Sequence, residues 1–177
     1  MIIGKKIKIR TILEQDLSTL ALLLNDIESA GSFLPNAMVS EVGLKKEFHE
    51  SGFLSDSFSR FLITDHSDHI VGTIWMFKSI PYFDAFEVGY HIFNQDNRGN
   101  GLATEALTLF TSYLFDAKQI NRVELRIATE NPASEKVARK VGFVHEGTHR
   151  EAAFTKGKMH DMQTFSVLRR EWQPING

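Results

Sequence analysis

The chain has 177 residues, 42% of them hydrophobic and 24% charged, which is typical of one globular domain with a sizeable core. Its net charge of −2 argues against a nucleic-acid-binding field, and no run approaches the ~18 apolar residues of a membrane span. The lack of cysteine excludes a disulfide framework, a cysteine nucleophile and thiolate metal ligands. We expect a single cytoplasmic domain over residues 1–177, without nucleic-acid or membrane partners.

The first half of the sequence predicts one strand, two helices and then three strands. Polar and apolar residues alternate over residues 5–12, "KKIKIRTI", as in a half-buried strand. Apolar residues at helical spacing predict a helix from about residue 14 to about residue 29, ended by Gly31 and Pro35. A weaker helical pattern covers residues 40–59. Three strand-like segments follow, separated by loops at 65–68 and 79–85, and they cover residues 60–65, 70–78 and 86–93.

The second half alternates helices and strands before two closing strands. An apolar stripe predicts a helix that begins near Leu102, and a strand is predicted at residues 122–129. A short helix follows at residues 132–141, with Asn131 as its N-cap and Gly142 as its end. The closing strands lie around residues 143–149 and 162–168. This order of elements predicts one mixed α/β sheet covered by helices.

A glycine-rich turn directly precedes the helix near Leu102. In "NQDNRGNGLATEALTLF", residues 94–110, Gly99 and Gly101 stand two positions apart. Glycine lets a ligand approach the main chain, and the first turn of a helix exposes unpaired N–H groups at the positive end of its dipole. Together these features predict an anion site, usually for phosphate, although a plain tight turn also explains the glycines. The P-loop ending is absent, and Thr104 replaces the third glycine of the dinucleotide fingerprint.

The pattern Arg98-x-x-Gly101-x-Ala103 resembles the pyrophosphate loop of the GNAT superfamily of acetyl-coenzyme A-dependent N-acetyltransferases. The predicted order of elements also matches that family. Further blocks resemble its RimJ/RimL-type branch, which acetylates protein N-terminal amines and small-molecule amines: "FEVGYHI", "NRGNGLATEAL", "NPASEKVARKVGFVHEGTHR" and "GKMHDMQTFSVLRREW". The likeness is strong from Phe86 onward and thin over residues 33–58. It implies an α+β (mixed α/β) GNAT fold, with a mostly antiparallel twisted sheet of about seven strands flanked by about four helices.

The resemblance implies acetyl-coenzyme A as the co-substrate and no metal. Backbone N–H groups of the turn would hold the pyrophosphate, and they belong to Arg98, Gly99, Asn100, Gly101, Leu102, Ala103 and Thr104. In the family the preceding strand splays from its neighbour, so Ile92 and Phe93 would offer an N–H to the thioester oxygen. Asn131 would contact the cofactor as well as cap its helix. Three cations would meet the adenosine phosphate or stay solvated: Arg122, Arg139 and Lys140.

Acetyl transfer to an amine needs one group that takes a proton from the amine and one that protonates the thiolate. No covalent intermediate is required, which fits the lack of cysteine and favours direct attack in a ternary complex. Many family members use a tyrosine seven residues after the asparagine, where this chain has Ala138; the RimL-type branch implies Ser134 as the acid. Glu87 is the leading base, directly or through water, and His91 is the second candidate. The structural alternatives are a local backbone bond for Ser134 and an ordinary cross-strand or capping partner for Glu87.

The acceptor pocket is expected between the first two helices and the loop at residues 79–85. Five aromatic residues either line it or belong to the core: Phe33, Phe48, Phe53, Tyr82 and Phe83. The expected partners are an amine acceptor, either a protein N-terminus or a small amino compound, and a second copy of the chain. The alternative function is a non-catalytic coenzyme A-binding sensor of the same fold, against which Gly99, Gly101 and Ser134 argue.

A competing motif is "HEGTH", residues 145–149, which matches the zinc-protease pattern H-E-x-x-H. That chemistry needs a helix, so that both histidines project from one face. Gly147 inside the motif and Gly142 before it predict a strand or loop instead. We therefore expect no zinc at this motif.

Overall fold

The computed structural model describes residues 1–34, 37–78 and 80–174, and eight strands of this part form one sheet. The strands are β1 Ile2–Ile3, β2 Lys8–Arg10, β3 Phe58–Thr64, β4 Ile70–Phe77, β5 Ala85–Ile92, β6 Arg122–Ala128, β7 Val144–Thr155 and β8 Lys158–Leu168. Their order in the sheet is β1-β2-β3-β4-β5-β6-β8-β7. Every neighbouring pair is antiparallel except β5 and β6. The predicted mixed α/β fold around a mostly antiparallel sheet is confirmed.

Five α-helices of the described residues cover the two faces of the sheet: α1 Leu17–Leu24, α2 Ile27–Ala30, α3 Glu41–Ser51, α4 Leu102–Ala117 and α5 Pro132–Val141. The larger buried cluster joins one face of the sheet to α4 and α5. A smaller cluster joins the other face to α1 and α3. None of the helices in residues 1–34, 37–78 and 80–174 is both long and apolar enough to cross a membrane.

The helix predicted at residues 14–29 is divided in the structure. The side chain of Asn25 ends α1 by bonding to the backbone of Val39, which it meets at 2.8 Å as donor and at 2.8 Å as acceptor. Asp26 then caps α2, since its carboxylate accepts from the Ser29 amide at 3.0 Å. The apolar pattern continues across this break, so periodicity alone could not reveal it.

The second predicted helix is shorter than residues 40–59. The Ser40 hydroxyl caps α3 by accepting from the Gly43 amide at 3.0 Å, and Gly52 ends the helix in the left-handed region with a φ of 61°. Phe53 also has a positive φ, of 60°, and turns into the core. Two positions in the predictions, Pro35 and Ser79, lie outside the described residues.

The sheet opens between β5 and β6. Their parallel pairing is limited to Ala85–Glu87 against Arg122–Glu124. Beyond these residues, β5 stays paired with β4 as far as Ile92 and β6 stays paired with β8 as far as Ala128. The C-terminal parts of β5 and β6 therefore diverge, and α4 and α5 begin shortly after them. The gap between the two strands places backbone groups and two helix N-termini around one space.

Candidate active site

The turn between β5 and α4 has the backbone that its glycines predict. Gly99 and Gly101 have φ angles of 76° and 82°, which other residues avoid. The first hydrogen bond inside α4 runs from the Glu105 amide to the Gly101 carbonyl at 3.0 Å. The helix amides before Glu105 have no partner within the helix and point out of its positive N-terminus. The turn is therefore suited to an anion such as a pyrophosphate.

Sequence reasoning missed Lys6, which lies beside this turn. Its ammonium donates to the Asn100 carbonyl at 2.8 Å, and its backbone amide donates to the Glu105 carboxylate at 3.0 Å. A Cβ atom at Gly101 would lie 3.5 Å from the ammonium. The segment between β1 and β2 thus fixes the turn and places a positive charge next to it. No local signal links residues that are 94 positions apart in the chain.

The Arg98 side chain braces the turn from another side. Its guanidinium donates to the Ile92 carbonyl at 3.2 Å and also to the Ser29 carbonyl in α2. The Ser29 hydroxyl in turn accepts from the Asn94 amide at 3.1 Å. The Arg98 guanidinium is therefore engaged with backbone carbonyls.

The strand β5 presents alternate backbone groups to the gap. Hydrogen-bonding groups alternate between the two edges of a strand, and the Phe93 amide donates to the Val71 carbonyl at 2.9 Å, on the β4 side. The alternation directs the Ile92 amide toward the gap. Of the two predicted donors to a thioester oxygen, Ile92 is suitably directed, whereas the N–H of Phe93 is used within the sheet.

The two candidate bases, Glu87 and His91, belong to one face of β5. The Glu87 carboxylate lies 3.8 Å from the Arg126 guanidinium, at the last paired position of β5 and β6. His91 is buried, and its Nε2 lies 3.0 Å from a backbone carbonyl of α2. Burial lowers the pKa of His91. Gly89 lies between them on the same face. Any other residue there would clash with the Trp75 ring, because its Cβ would come within 2.4 Å of the ring.

The helix α5 begins and ends as the sequence predicts. Asn131 Oδ1 accepts from the Ser134 amide at 3.1 Å, Pro132 is the first helical residue, and Gly142 ends the helix with a φ of 97°. Ser134 is half-buried in the first turn. Ala138, at the position of the family's tyrosine, is buried in the larger core cluster.

Sequence reasoning also missed Tyr90 of β5. Its ring packs against the larger core cluster, together with residues of α4 and α5. Its hydroxyl oxygen is buried and makes no well-formed hydrogen bond to any residue that the structure describes. Burial raises the pKa of Tyr90, and the nearby Ser134 side chain acts in the opposite direction. The fold therefore brings two hydroxyl groups together at the start of α5.

The cations considered for the adenosine phosphate have local surroundings of their own. Arg122 lies 3.1 Å from Glu146 across the sheet, and Arg139 lies 2.9 Å from Glu135, one helical turn earlier. Lys140 is exposed. In the structure, therefore, Arg122 and Arg139 are ion-paired and Lys140 is solvated.

A cavity of about 350 Å³ lies between the segment after α2 and the β7–β8 hairpin. The Phe33 ring lines it and meets the His160 ring edge-on, with centroids 5.9 Å apart. His160 is buried, and its Nδ1 lies 2.6 Å from the Glu130 carboxylate. Lys158 and then His160 hold the pKa of Glu130 below its usual value. The sequence analysis proposed Phe33 for the pocket but missed the polar cluster of Glu130, Lys158 and His160. These three residues come together only when the β7–β8 hairpin folds.

The other four aromatic residues proposed for the pocket lie elsewhere. Phe53 is buried in the smaller core cluster, and Phe48 packs against that cluster. Tyr82 and Phe83 precede β5, at the end of the strand opposite the glycine turn, and Tyr82 is 84% exposed. Residues 80–84 are therefore distant from the turn along the strand.

The "HEGTH" motif lies in β7 and is extended, as the sequence predicts. The two histidines have separate partners, since His149 Nε2 lies 3.1 Å from the Thr164 hydroxyl and the His145 ring packs on Phe165. Across residues 1–34, 37–78 and 80–174, no group of three histidine or carboxylate side chains is arranged to hold a metal ion.

A family model described as an acetyltransferase (GNAT) domain matches residues 6–144. The chain belongs to the GNAT acetyltransferase family. It thus carries an acetyl-coenzyme A-dependent acyltransferase domain, and the predicted enzyme class and co-substrate are confirmed at the level of the family.

Two relatives bear on the branch of the family. YdaF of Bacillus subtilis (strain 168), whose name assigns it provisionally to the ribosomal N-acetyltransferases, is 34% identical over 87 residues, which are 49% of this chain and 47% of YdaF. The chain thus spans about half the length of that relative. The ribosomal protein uS5-alanine N-acetyltransferase of Escherichia coli (strain K12) is 26% identical over 142 residues, 79% of this chain and 71% of the relative. These names support the predicted RimJ/RimL-like branch.

Among solved structures, the spermidine N-acetyltransferase of Vibrio cholerae, in complex with CoA and spermine, superposes with a TM-score of 0.82. The match covers 95% of this chain and 98% of that chain at 20% identity. At this identity the likeness concerns the fold, which is the GNAT fold.

Proposed function

We propose that the chain is an N-acetyltransferase that moves an acetyl group from acetyl-coenzyme A to a primary amine by direct attack in a ternary complex. The observation that carries this proposal is the gap between β5 and β6, which opens beside the N-termini of α4 and α5. A thioester in this gap would be within reach of backbone donors of β5 and of side chains at the start of α5. One extended cofactor could therefore be held at both ends.

The turn before α4 would hold the pyrophosphate of the cofactor. Its contributing amides would come from residues 99–104, since the Arg98 amide donates to the Gln95 carbonyl at 3.0 Å. The Lys6 ammonium would compensate part of the phosphate charge. The pantetheine arm would pair with the backbone edge of β5 that faces the gap. The Ile92 amide would donate to the thioester oxygen as negative charge develops there, and Asn131 would border the arm while it caps α5.

Proton transfer would involve one group on each side of the thioester. Glu87 stands where the β5–β6 pairing ends and would take the proton of the attacking amine, directly or through water. Ser134 would protonate the leaving thiolate. Both roles would use side chains that a strand and a helix already hold in place. Direct attack of the amine on the thioester requires no covalent enzyme intermediate.

The acceptor would be a protein N-terminus or a small amino compound. One relative is named for the alanine of a ribosomal protein, and the structural neighbour is named for spermidine. Both of these acceptors carry a primary amine. The acceptor would lie in the cavity beside Phe33, where Lys158 and His160 already contact the Glu130 carboxylate, so a neutral amine is favoured. We also infer that residues 1–177 act as one domain, because both core clusters share a single sheet. The lack of cysteine is consistent with the reducing cytoplasm that we propose for this domain.

The test is thiol release from acetyl-coenzyme A with a panel of peptides, polyamines and amino compounds. The proposal predicts release that depends on an amine and that yields a monoacetylated product. The reaction without amine is the control for hydrolysis. Tight binding of acetyl-coenzyme A without amine-dependent release would instead support the non-catalytic sensor.

A further inference from the structure

Ser134 alone is a weak source for the proton that the thiolate needs. A serine hydroxyl does not ionise in the accessible range of pH, whereas a thiol has a pKa of about 8.5 and a tyrosine about 10. A serine can therefore give its proton to a thiolate only if it receives another at the same time. Ala138, one helical turn after Ser134, is buried and has no proton to give.

Tyr90 supplies an ionisable hydroxyl at the same place. It belongs to the part of β5 that has lost β6 as a neighbour, and it packs beneath α4 and α5. Its hydroxyl is buried without a well-formed hydrogen bond in the described residues, and the Ser134 side chain lies beside it. A buried hydroxyl without a partner destabilises a fold, and tyrosine adds nothing here that phenylalanine would not add to the packing.

We infer that Tyr90 and Ser134 form a hydroxyl pair that delivers the proton to the leaving thiolate, with Tyr90 acting through Ser134. As the C–S bond breaks, the Ser134 proton moves to sulfur and the Tyr90 proton moves to Ser134. The attacking amine gives its proton to Glu87 and from there to solvent, and the Tyr90 phenolate takes one proton from solvent before the next turnover, so one proton is released for each one taken up. This assignment rests on the proposed acetyltransferase function and adds a positioning residue to it.

The surroundings keep Tyr90 in the proton-bearing form before the reaction. Burial raises its pKa, because the charged phenolate is poorly solvated there. The Asn131 side chain fixes the first turn of α5 by accepting from the Ser134 amide. The position of Ser134 thus depends on a helix cap that Tyr90 does not take part in.

The test is Tyr90→Phe, which removes only the hydroxyl. We expect kcat to fall by about tenfold or more, within the range of acid–base catalysis, with the KM for acetyl-coenzyme A changed less than about twofold. The melting temperature should change little, because the ring packing is kept and the hydroxyl makes no well-formed hydrogen bond in the described residues. The matched control is Tyr113→Phe, in which a tyrosine of α4 stacked on Phe110 loses its hydroxyl away from Ser134.

A double-mutant cycle separates a relay from a structural role. If Tyr90 acts through Ser134, Tyr90→Phe should have almost no further effect in the Ser134→Ala background. Additive losses, or a Tyr90→Phe enzyme with the wild-type kcat, would overturn the inference while leaving the acetyltransferase function intact. A wild-type chain that releases no thiol with any amine would overturn both.

Discussion

At the scale of single residues, the groups of the site are positioned mainly by backbone hydrogen bonds. The Ser134 amide is held by Asn131, and the His91 imidazole and the Arg98 guanidinium share the carbonyl of Ser29. The Ser134 contact uses the backbone amide and leaves out the hydroxyl that is proposed for chemistry. Substitutions that remove one functional atom should therefore leave the local backbone in place.

Ser134→Ala tests the proposed acid at this scale. We expect kcat to fall by more than roughly tenfold, since the hydroxyl is lost, while the KM for acetyl-coenzyme A changes little because the amide still reaches Asn131. Steady-state kinetics with a saturating amine measure both constants. Ser51→Ala, on the exposed end of α3, is the control. A Ser134→Ala enzyme with an unchanged kcat, where chemistry limits turnover, would return Ser134 to a structural role.

His91 should make stability depend on pH. Burial lowers its pKa in the folded chain, while the unfolded chain has the ordinary value of about 6.5. The unfolded state thus binds more protons below this value, and stability is kept above about pH 6.5 and lost as pH falls toward the folded pKa. Urea unfolding at about pH 8 and about pH 5.5 should show a smaller loss for His91→Gln than for wild type.

The control for this prediction is His49→Gln, because His49 is an exposed histidine on α3. It should lose as much stability as wild type between the two pH values. Equal losses in wild type and His91→Gln would show that the buried imidazole does not contribute.

At the scale of secondary-structure elements, the turn into α4 and the start of α5 were predictable because their signals are local. Glycine at positive φ, an asparagine cap and a following proline each act within four residues. The break between α1 and α2 was not predictable, because the Asn25 side chain is held by Val39, 14 positions away. The divergence of β5 from its neighbour was predicted from the family resemblance and not from the residue pattern of β5.

Gly101→Val tests the turn. Valine is disfavoured at the φ of 82° that Gly101 adopts, so the turn should change shape and its amides should no longer converge on a phosphate. We expect a loss of acetyl-coenzyme A affinity of about tenfold or more by calorimetry. Gly52→Val is the matched control, since it strains another left-handed glycine, with a φ of 61°, at the end of α3. Equal cofactor affinity in wild type and Gly101→Val would count against the turn as the pyrophosphate site.

The extended β7 leads to a prediction about zinc. Histidines four residues apart share one face of a helix, but in β7 His145 and His149 contact different partners. Purified protein should contain no stoichiometric zinc by elemental analysis, and chelators should leave the acetylation rate unchanged. One zinc per chain that disappears in His145→Ala would reverse this prediction.

At the scale of the whole molecule, the sequence predicted what short segments determine and missed what the fold assembles. Composition and element order indicated the mixed α/β sheet, and the family resemblance indicated the cofactor. Lys6 and Glu130 could not be found in this way. Lys6 reaches the turn through a contact across 94 positions of the chain, and Glu130 meets its partners only through the β7–β8 hairpin. The segment at residues 33–58, which was expected to help form the acceptor side, resembles the family least, so the sequence identifies the reaction better than the acceptor.

The chemistry of amines narrows the choice of acceptor. An α-amino group has a pKa near ~8 and a lysine side chain near ~10.4, so at pH 7 about a tenth of the first is neutral against less than about a thousandth of the second. A carboxylate such as Glu87 is a mild base and would favour the amine that is already neutral. The relative named for a ribosomal-protein alanine supports the same preference.

The most direct measurement is mass spectrometry of a peptide that carries both a free N-terminus and an internal lysine, after incubation with the protein and acetyl-coenzyme A at neutral pH. A matched peptide with a blocked N-terminus is the control, and spermidine in a parallel reaction reports on small amines. We expect one acetyl group on the α-amine of the first peptide and little on the blocked one. Acetyl found mainly on the lysine side chain, or no acetyl on any amine, would contradict it.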